Sequence, residues 1–196
     1  MRAALVLSSG LVLMCAVANG ASGQNLVSNP GFETGDFTGW TQFDNTGFTG
    51  VFDTPVHSGN WAGEFGPIES TGGIFQTLAT TAGTTYTFSF WLQNGGDAEE
   101  GGQFFDASWN GSSVLTLDPP PGAFDYTQES FSVLASGSST DIKFTFQNDP
   151  DFFHLDDVSV TAAGANVVPE PASMWLLATG LVGMAGLRRR RRSVTS

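Results

Sequence analysis

The groups from which acid–base or metal chemistry would have to be assembled are few in kind. They are His57 and His154, Glu33 in "NPGFETGDFTGW", and the pair Asp156-Asp157 in "FFHLDDVSV". Neither histidine sits near a "GxSxG" elbow or a His-Glu-x-x-His helix, the spacings that arm a nucleophile or hold a catalytic metal. Glycoside hydrolysis needs two carboxylates at a defined separation. With nineteen acids in the chain a chance pair is assured, so their number does not point to that reaction, and the reading is non-enzymatic. In "HLDDVSV", strict alternation sets Asp156 on the side of Val158 and Val160, taken as the core face, with His154 sharing that side and Asp157 exposed. A carboxylate facing inward must be paired or hydrogen-bonded. Its partner is either a hard divalent cation held by oxygens or a set of backbone N–H groups.

Binding of a sugar asks for aromatic faces beside amide and hydroxyl groups. Trp91 is the first choice, because it projects opposite Phe88 and Phe90 and lies next to Gln93. Trp109 and Trp61 are second choices, and Trp40 is read as core.

Those side chains need a scaffold, and composition narrows it. Six of the seven basic residues lie at the two ends, as Arg2 and Arg188–Arg192, so Lys143 stands alone between them. Eighteen acids fall in 25–168, a formal charge of about −17 that excludes binding to nucleic acid or to anionic headgroups through this region. The N-terminus reads as a signal peptide over 1–23: Arg2, then the apolar "AALVLSSGLVLMCAVA", then small residues for cleavage. Cys15, the only cysteine, lies within it, so the processed protein has no disulfide.

Between the ends the pattern is strand and turn. "TTYTFSFWLQN" sets Tyr86, Phe88, Phe90 and Leu92 on one face. "DIKFTFQN" does the same with Ile142, Phe144 and Phe146, and "QESFSVLA" with Phe131, Val133 and Ala135. "GIFQTLATT", "GQFFDASWNG", "SVLTLD" and "HLDDVSVTA" add strands, separated by turn signals such as "NGGD", "NGSS" and "DPPPG". The expected fold is all-β, an antiparallel β-sandwich over 25–161, with a linker at 162–168.

The opening motif Asn29, Gly31, Phe32, Glu33, Gly39, Trp40 and the closing motif Leu155–Val158 resemble the boundaries of the galactose-binding-like jelly-roll superfamily, which includes carbohydrate-binding modules. "HSGNWAGEF", residues 57–65, resembles the turn leading into that fold's next strand. The resemblance implies a structural calcium with Glu33 and Asp156 as side-chain ligands and backbone carbonyls near Gly31 and Gly59.

The C-terminus resembles a second family. Pro169-Glu170-Pro171, an apolar helix Ala172–Leu187, and Arg188, Arg189, Arg190, Arg191 and Arg192 are similar to the PEP-CTERM sorting signal. Sixteen helical residues cover about 24 Å, short of a roughly 30 Å hydrocarbon core, which suits transient insertion in the membrane. The resemblance implies an exosortase partner in the inner membrane that removes this helix, so that the protein reaches the cell surface or extracellular matrix. Two readings follow for the domain: an acidic, calcium-bridged component of an exopolysaccharide or biofilm matrix, or a carbohydrate-binding module acting through its tryptophans.

Overall fold

Alternation of ring and hydroxyl side chains is what makes these strands, since residues two apart share a face and one face can be wholly aromatic. The computed structural model describes residues 23–96 and 102–164, all within the compact unit 22–165. The signal peptide 1–23 up to residue 22, Cys15, the sorting motif and its helix and arginines lie outside the described residues. Ten strands and no helix occur among the described residues: β1 (Thr41–Asp44), β2 (Thr49–Phe52), β3 (Ala62–Phe65), β4 (Gly72–Ala79), β5 (Thr85–Asn94), β6 (Phe104–Trp109), β7 (Ser112–Leu117), β8 (Phe124–Leu134), β9 (Ser139–Gln147) and β10 (Phe153–Ala162). They form two antiparallel sheets, the first ordered β1-β4-β9-β6-β7 and the second β2-β3-β10-β5-β8. This is the expected jelly-roll sandwich. Strand β10 takes in Ala162, the first residue of the expected linker.

The alternating apolar residues expected on β5 and β9 are inside: Phe88, Phe90, Ile142, Phe144 and Phe146 are fully buried. Phe65 and Phe146 stack at 4.0 Å, and Phe90 meets Phe144 edge-on at 5.0 Å. Each such side chain taken from water is worth about 1.5–3 kcal/mol, so a phenylalanine-lined interior can hold two sheets together without covalent staples. Trp40 belongs to this core, as expected, and its indole N–H donates to the Asn29 carbonyl at 3.2 Å.

Trp109 corrects the sequence reading. It was expected as a binding surface, and it is core, packed against Tyr86 and Phe88 with its indole N–H donating to the Leu134 carbonyl at 3.0 Å. Its place in β6 explains this: Trp109 pairs with Ile142 of β9, an inward position, just before the Asn110-Gly111 turn. Both turn residues have positive φ, as a two-residue hairpin of this kind requires.

Candidate functional site

Register across the second sheet builds one outward-facing surface. Trp91 of β5 lies between Asp156 of β10 and Gln128 of β8. In the adjacent row His154 of β10 lies between Glu64 of β3 and Gln93 of β5. All of these point away from Phe90, Leu92, Phe153 and Leu155, which fill the core.

The strict alternation expected for β10 therefore fails at one residue. The β5–β10 register shifts between Asp156 and Ser159, and Asp157 has φ of 46°. A bulge adds one residue and flips parity. Val158 and Val160 return to the core, while His154 and Asp156 stay on the outer side with Trp91. Asp156 is nonetheless completely buried, because two loops cover it.

Those loops have their own local logic. In "NPGFETGDF", Asn29 and Phe32 adopt left-handed backbone, and the Asn29 side-chain amide ties the turn by donating to Thr34, Asp36 and Thr38. This brings Gly31 against Asp156 and Asp157, whose Oδ1 atoms lie 3.3 and 3.4 Å from where a glycine Cβ would stand. The second loop follows Phe52. Gly59 has φ of 66° and carries no Cβ, so the Glu33 carboxylate can rest on it. Glu33 then accepts from the backbone N–H groups of Asn60 and Trp61 at 3.0 and 3.2 Å. These amide bonds, led by the one from Asn60, hold its pKa below the usual value.

Asp156 is held by three backbone donors. His57 and Ser58 N–H reach Oδ2 at 2.9 and 3.1 Å, and Asp157 N–H reaches Oδ1 at 2.7 Å. Burial is the larger influence and raises its pKa; the amides oppose it. Asp157, expected to be merely exposed, is engaged. Its Oδ2 lies 2.6 Å from His57 Nδ1, and Ser58 Oγ donates to its Oδ1 at 2.9 Å. His57, Asp156 and Asp157 form a compact group able to present three ligand atoms to a cation. The structure places Gly31 beside Asp156 and Asp157 and Gly59 beside Glu33, with His57 against Asp157. Sequence reasoning missed those two because the bulge carries no side-chain signature.

The aromatic part of the surface is partly covered. The His57 ring stacks on Trp91 at 3.7 Å and 16°, and Tyr126 stands edge-on to His57 at 5.6 Å. The Tyr126 hydroxyl donates to the Pro55 carbonyl at 3.1 Å, pinning this loop to β8. Trp91 is consequently half-buried rather than the open platform expected. Trp61 is half-buried too, packed beside Gly35.

Beyond Trp91 the surface has unmet hydrogen-bonding capacity. His154 Nε2 lies 3.2 Å from Glu64 Oε2. A carboxylate only accepts, so the proton is on Nε2 and Nδ1 carries a lone pair. Burial pushes the His154 pKa down and favours this neutral form. Nδ1 of His154 and Oε1 of its cross-strand neighbour Gln93 are both buried acceptors with no partner among the described residues. Gln93 also opens onto a cleft of about 300 Å³ lined by Asn94, Gly95, Ala123, Phe124 and Asp125.

Comparison with known proteins supports the two halves of the chain separately. Residues 167–192 match the PEP-CTERM protein-sorting motif. Among solved structures the domain is similar to TmCBM61 in complex with β-1,4-galactotriose, with TM-score 0.54, 18% identity and coverage of 71% of this chain and 99% of that one. The CBM22-1 xylan-binding domain from Paenibacillus barcinonensis Xyn10C gives 0.52, 15%, 74% and 97%. A cyclase from Fischerella sp. TAU gives 0.52, 16%, 74% and 98%, so the fold also serves an enzyme. No curated protein matches. The fold is a jelly-roll β-sandwich similar to those of carbohydrate-binding modules, and the motif indicates an exported protein sorted by an exosortase.

Proposed function

We propose that the chain is a surface-sorted, non-enzymatic glycan-binding protein of an exopolysaccharide matrix. It would hold polysaccharide on the outer face of its second sheet, at Trp91, Gln93, His154, Glu64 and Tyr126. The observation that carries this is the pair of buried, unpartnered acceptors, Gln93 Oε1 and His154 Nδ1, on neighbouring strands beside a tryptophan. An unmet buried acceptor costs about 1–3 kcal/mol. Sugar hydroxyls would supply the missing donors once the groups covering these atoms part, and the ring's apolar face suits Trp91 once His57 moves aside. Calorimetric titration of the full chain in a non-glycosidic detergent with xylohexaose and with β-1,4-galactotriose tests the reading. Saturable binding that Trp91→Ala weakens at least about tenfold supports it; absence of binding to either sinks it.

Calcium fits the loop cluster. The Oδ1 atoms of Asp156 and Asp157 both face Gly31, each with one protein donor assigned, and the donor set there is oxygen. With Glu33 nearby, three carboxylates share one corner without a lysine or arginine. Asp156 and Glu33 would hold the ion, joined by Asp157 and by carbonyls near Gly31 and Gly59, and its charge would offset their repulsion and fix the two loops.

A further inference from the structure

The opposite face of the sandwich carries a second constellation. On the outer side of the first sheet, Phe75 of β4 lies directly across from Lys143 of β9, and Phe43 of β1 lies across from Gly73. Gly73 is needed there: a Cβ would collide with the Phe144 carbonyl and stand 3.0 Å from the Phe43 ring. Its absence lets Phe43 lie flat across β4, 6.4 Å from Phe75. Lys143 Nζ caps Phe43 at 4.0 Å from the ring centroid. Among the described residues Lys143 forms no ion pair, although the region 25–168 holds eighteen acids. With Asp44 and Asp141 these residues line a depression of about 360 Å³, and Thr77 Oγ1 donates to Asp141 Oδ1 at 2.6 Å.

We infer that this depression, formed by Phe43, Phe75, Lys143 and Asp141, is a second saccharide site, making the domain bivalent. It rests on the reading of the protein as a glycan binder. The ligand is a neutral sugar ring. Two half-buried phenyl rings offer an apolar stacking surface once the Lys143 ammonium swings off Phe43, a lysine and a threonine-held aspartate offer a donor and an acceptor for hydroxyls, and the lining is net negative. A polyanion would meet Asp44, Asp141 and the field of the whole acidic domain. Because the two faces are opposite sides of one sandwich, a protein occupied on both links two polysaccharide chains. That is a direct way for a small module to stiffen a matrix.

Calorimetry on the full chain in non-glycosidic detergent, with xylohexaose and β-1,4-galactotriose, decides the matter. Two equivalents are expected for the wild type with at least one of these probes. Trp91→Ala should lose one equivalent and Phe43→Ala/Phe75→Ala the other. Lys143→Met, which removes the ammonium but keeps an unbranched apolar side chain, should weaken the second equivalent about tenfold with an unchanged melting temperature. One equivalent, lost with Trp91→Ala and indifferent to Phe43, Phe75 and Lys143, overturns this inference and leaves the first site standing. One equivalent lost only with the phenylalanine pair overturns the site on the second sheet instead. No binding overturns both, and tighter binding of polygalacturonate than of neutral probes at Lys143 overturns the assignment of ligand class.

Discussion

The two outer faces of this sandwich solve one problem differently. On the second sheet two loops fold over the strands, so Asp156 is wholly buried on backbone amides, with Asp157, His57 and Trp91 half-buried beside it. On the first sheet a lysine and two phenylalanines lie on the strands themselves. The difference lies in where the bulge falls. Strand β10 kinks at Asp157 and draws the Gly31 and Ser58 loops onto it, whereas β4 and β9 pair without a break from Gly72 to Ala79. A covered face can hold an ion and be gated; an open face can only stack and hydrogen-bond.

The largest effect should come from breaking the covered face at its centre. Asp156→Ala strands three amide donors, those of His57, Ser58 and Asp157, and should destabilise the fold by about 3 kcal/mol or more, read from chemical denaturation. Asp156→Asn should lower the melting temperature more in calcium than in chelator. Equal shifts would separate the amide role from the ion role and reject the ion. Next is the open face. Gly73→Ala drives a methyl group toward the Phe144 carbonyl and should cost about 2 kcal/mol while displacing Phe43, seen as loss of the Phe43 ring-current shifts by NMR.

Removing Trp91 sharpens the contrast, because its stacking on His57 is local. Trp91→Ala should leave stability within about 1 kcal/mol while freeing the 53–58 loop, detectable as faster amide exchange at His57 and Ser58. The smallest effect concerns Glu129, which pairs with Phe90 and so faces inward along β8, an edge strand of the second sheet. Burial raises its pKa. The folded state therefore holds this proton more tightly than the unfolded chain. Its contribution to stability is present below the ordinary glutamate value and is lost as pH rises through the raised one. Glu129→Gln should remove that slope and stabilise the protein slightly at neutral pH. It should also raise self-association, since an inward charge on an edge strand guards against pairing.

Much of the scaffold was legible beforehand, for a specific reason. In β5 and β9 every second residue is large and apolar, so the faces of Phe88, Phe90, Phe144 and Phe146 could be assigned by counting. The short strands β1 and β2 carried no such pattern: four residues each, with exposed or half-buried positions throughout. Trp109 was misplaced because a tryptophan beside a turn looks the same whether its strand mate is core or surface. The carboxylate corner was half legible. Glu33, Asp156, Asp157 and His57 all stand in recognisable motifs, but that Asp157 and the His57 ring meet depends on a one-residue bulge in β10 and on the loop that packs over it.

Local periodicity, the isolation of Lys143 among acids, and the sorting motif at 167–192 are properties of residue order, and the sequence alone determined them. Which carboxylates meet, which tryptophan is covered, and that Lys143 caps Phe43 across two strands depend on register between segments as far apart as β1 and β9. Register is decided by many weak contacts acting together, so only the tertiary structure could decide these.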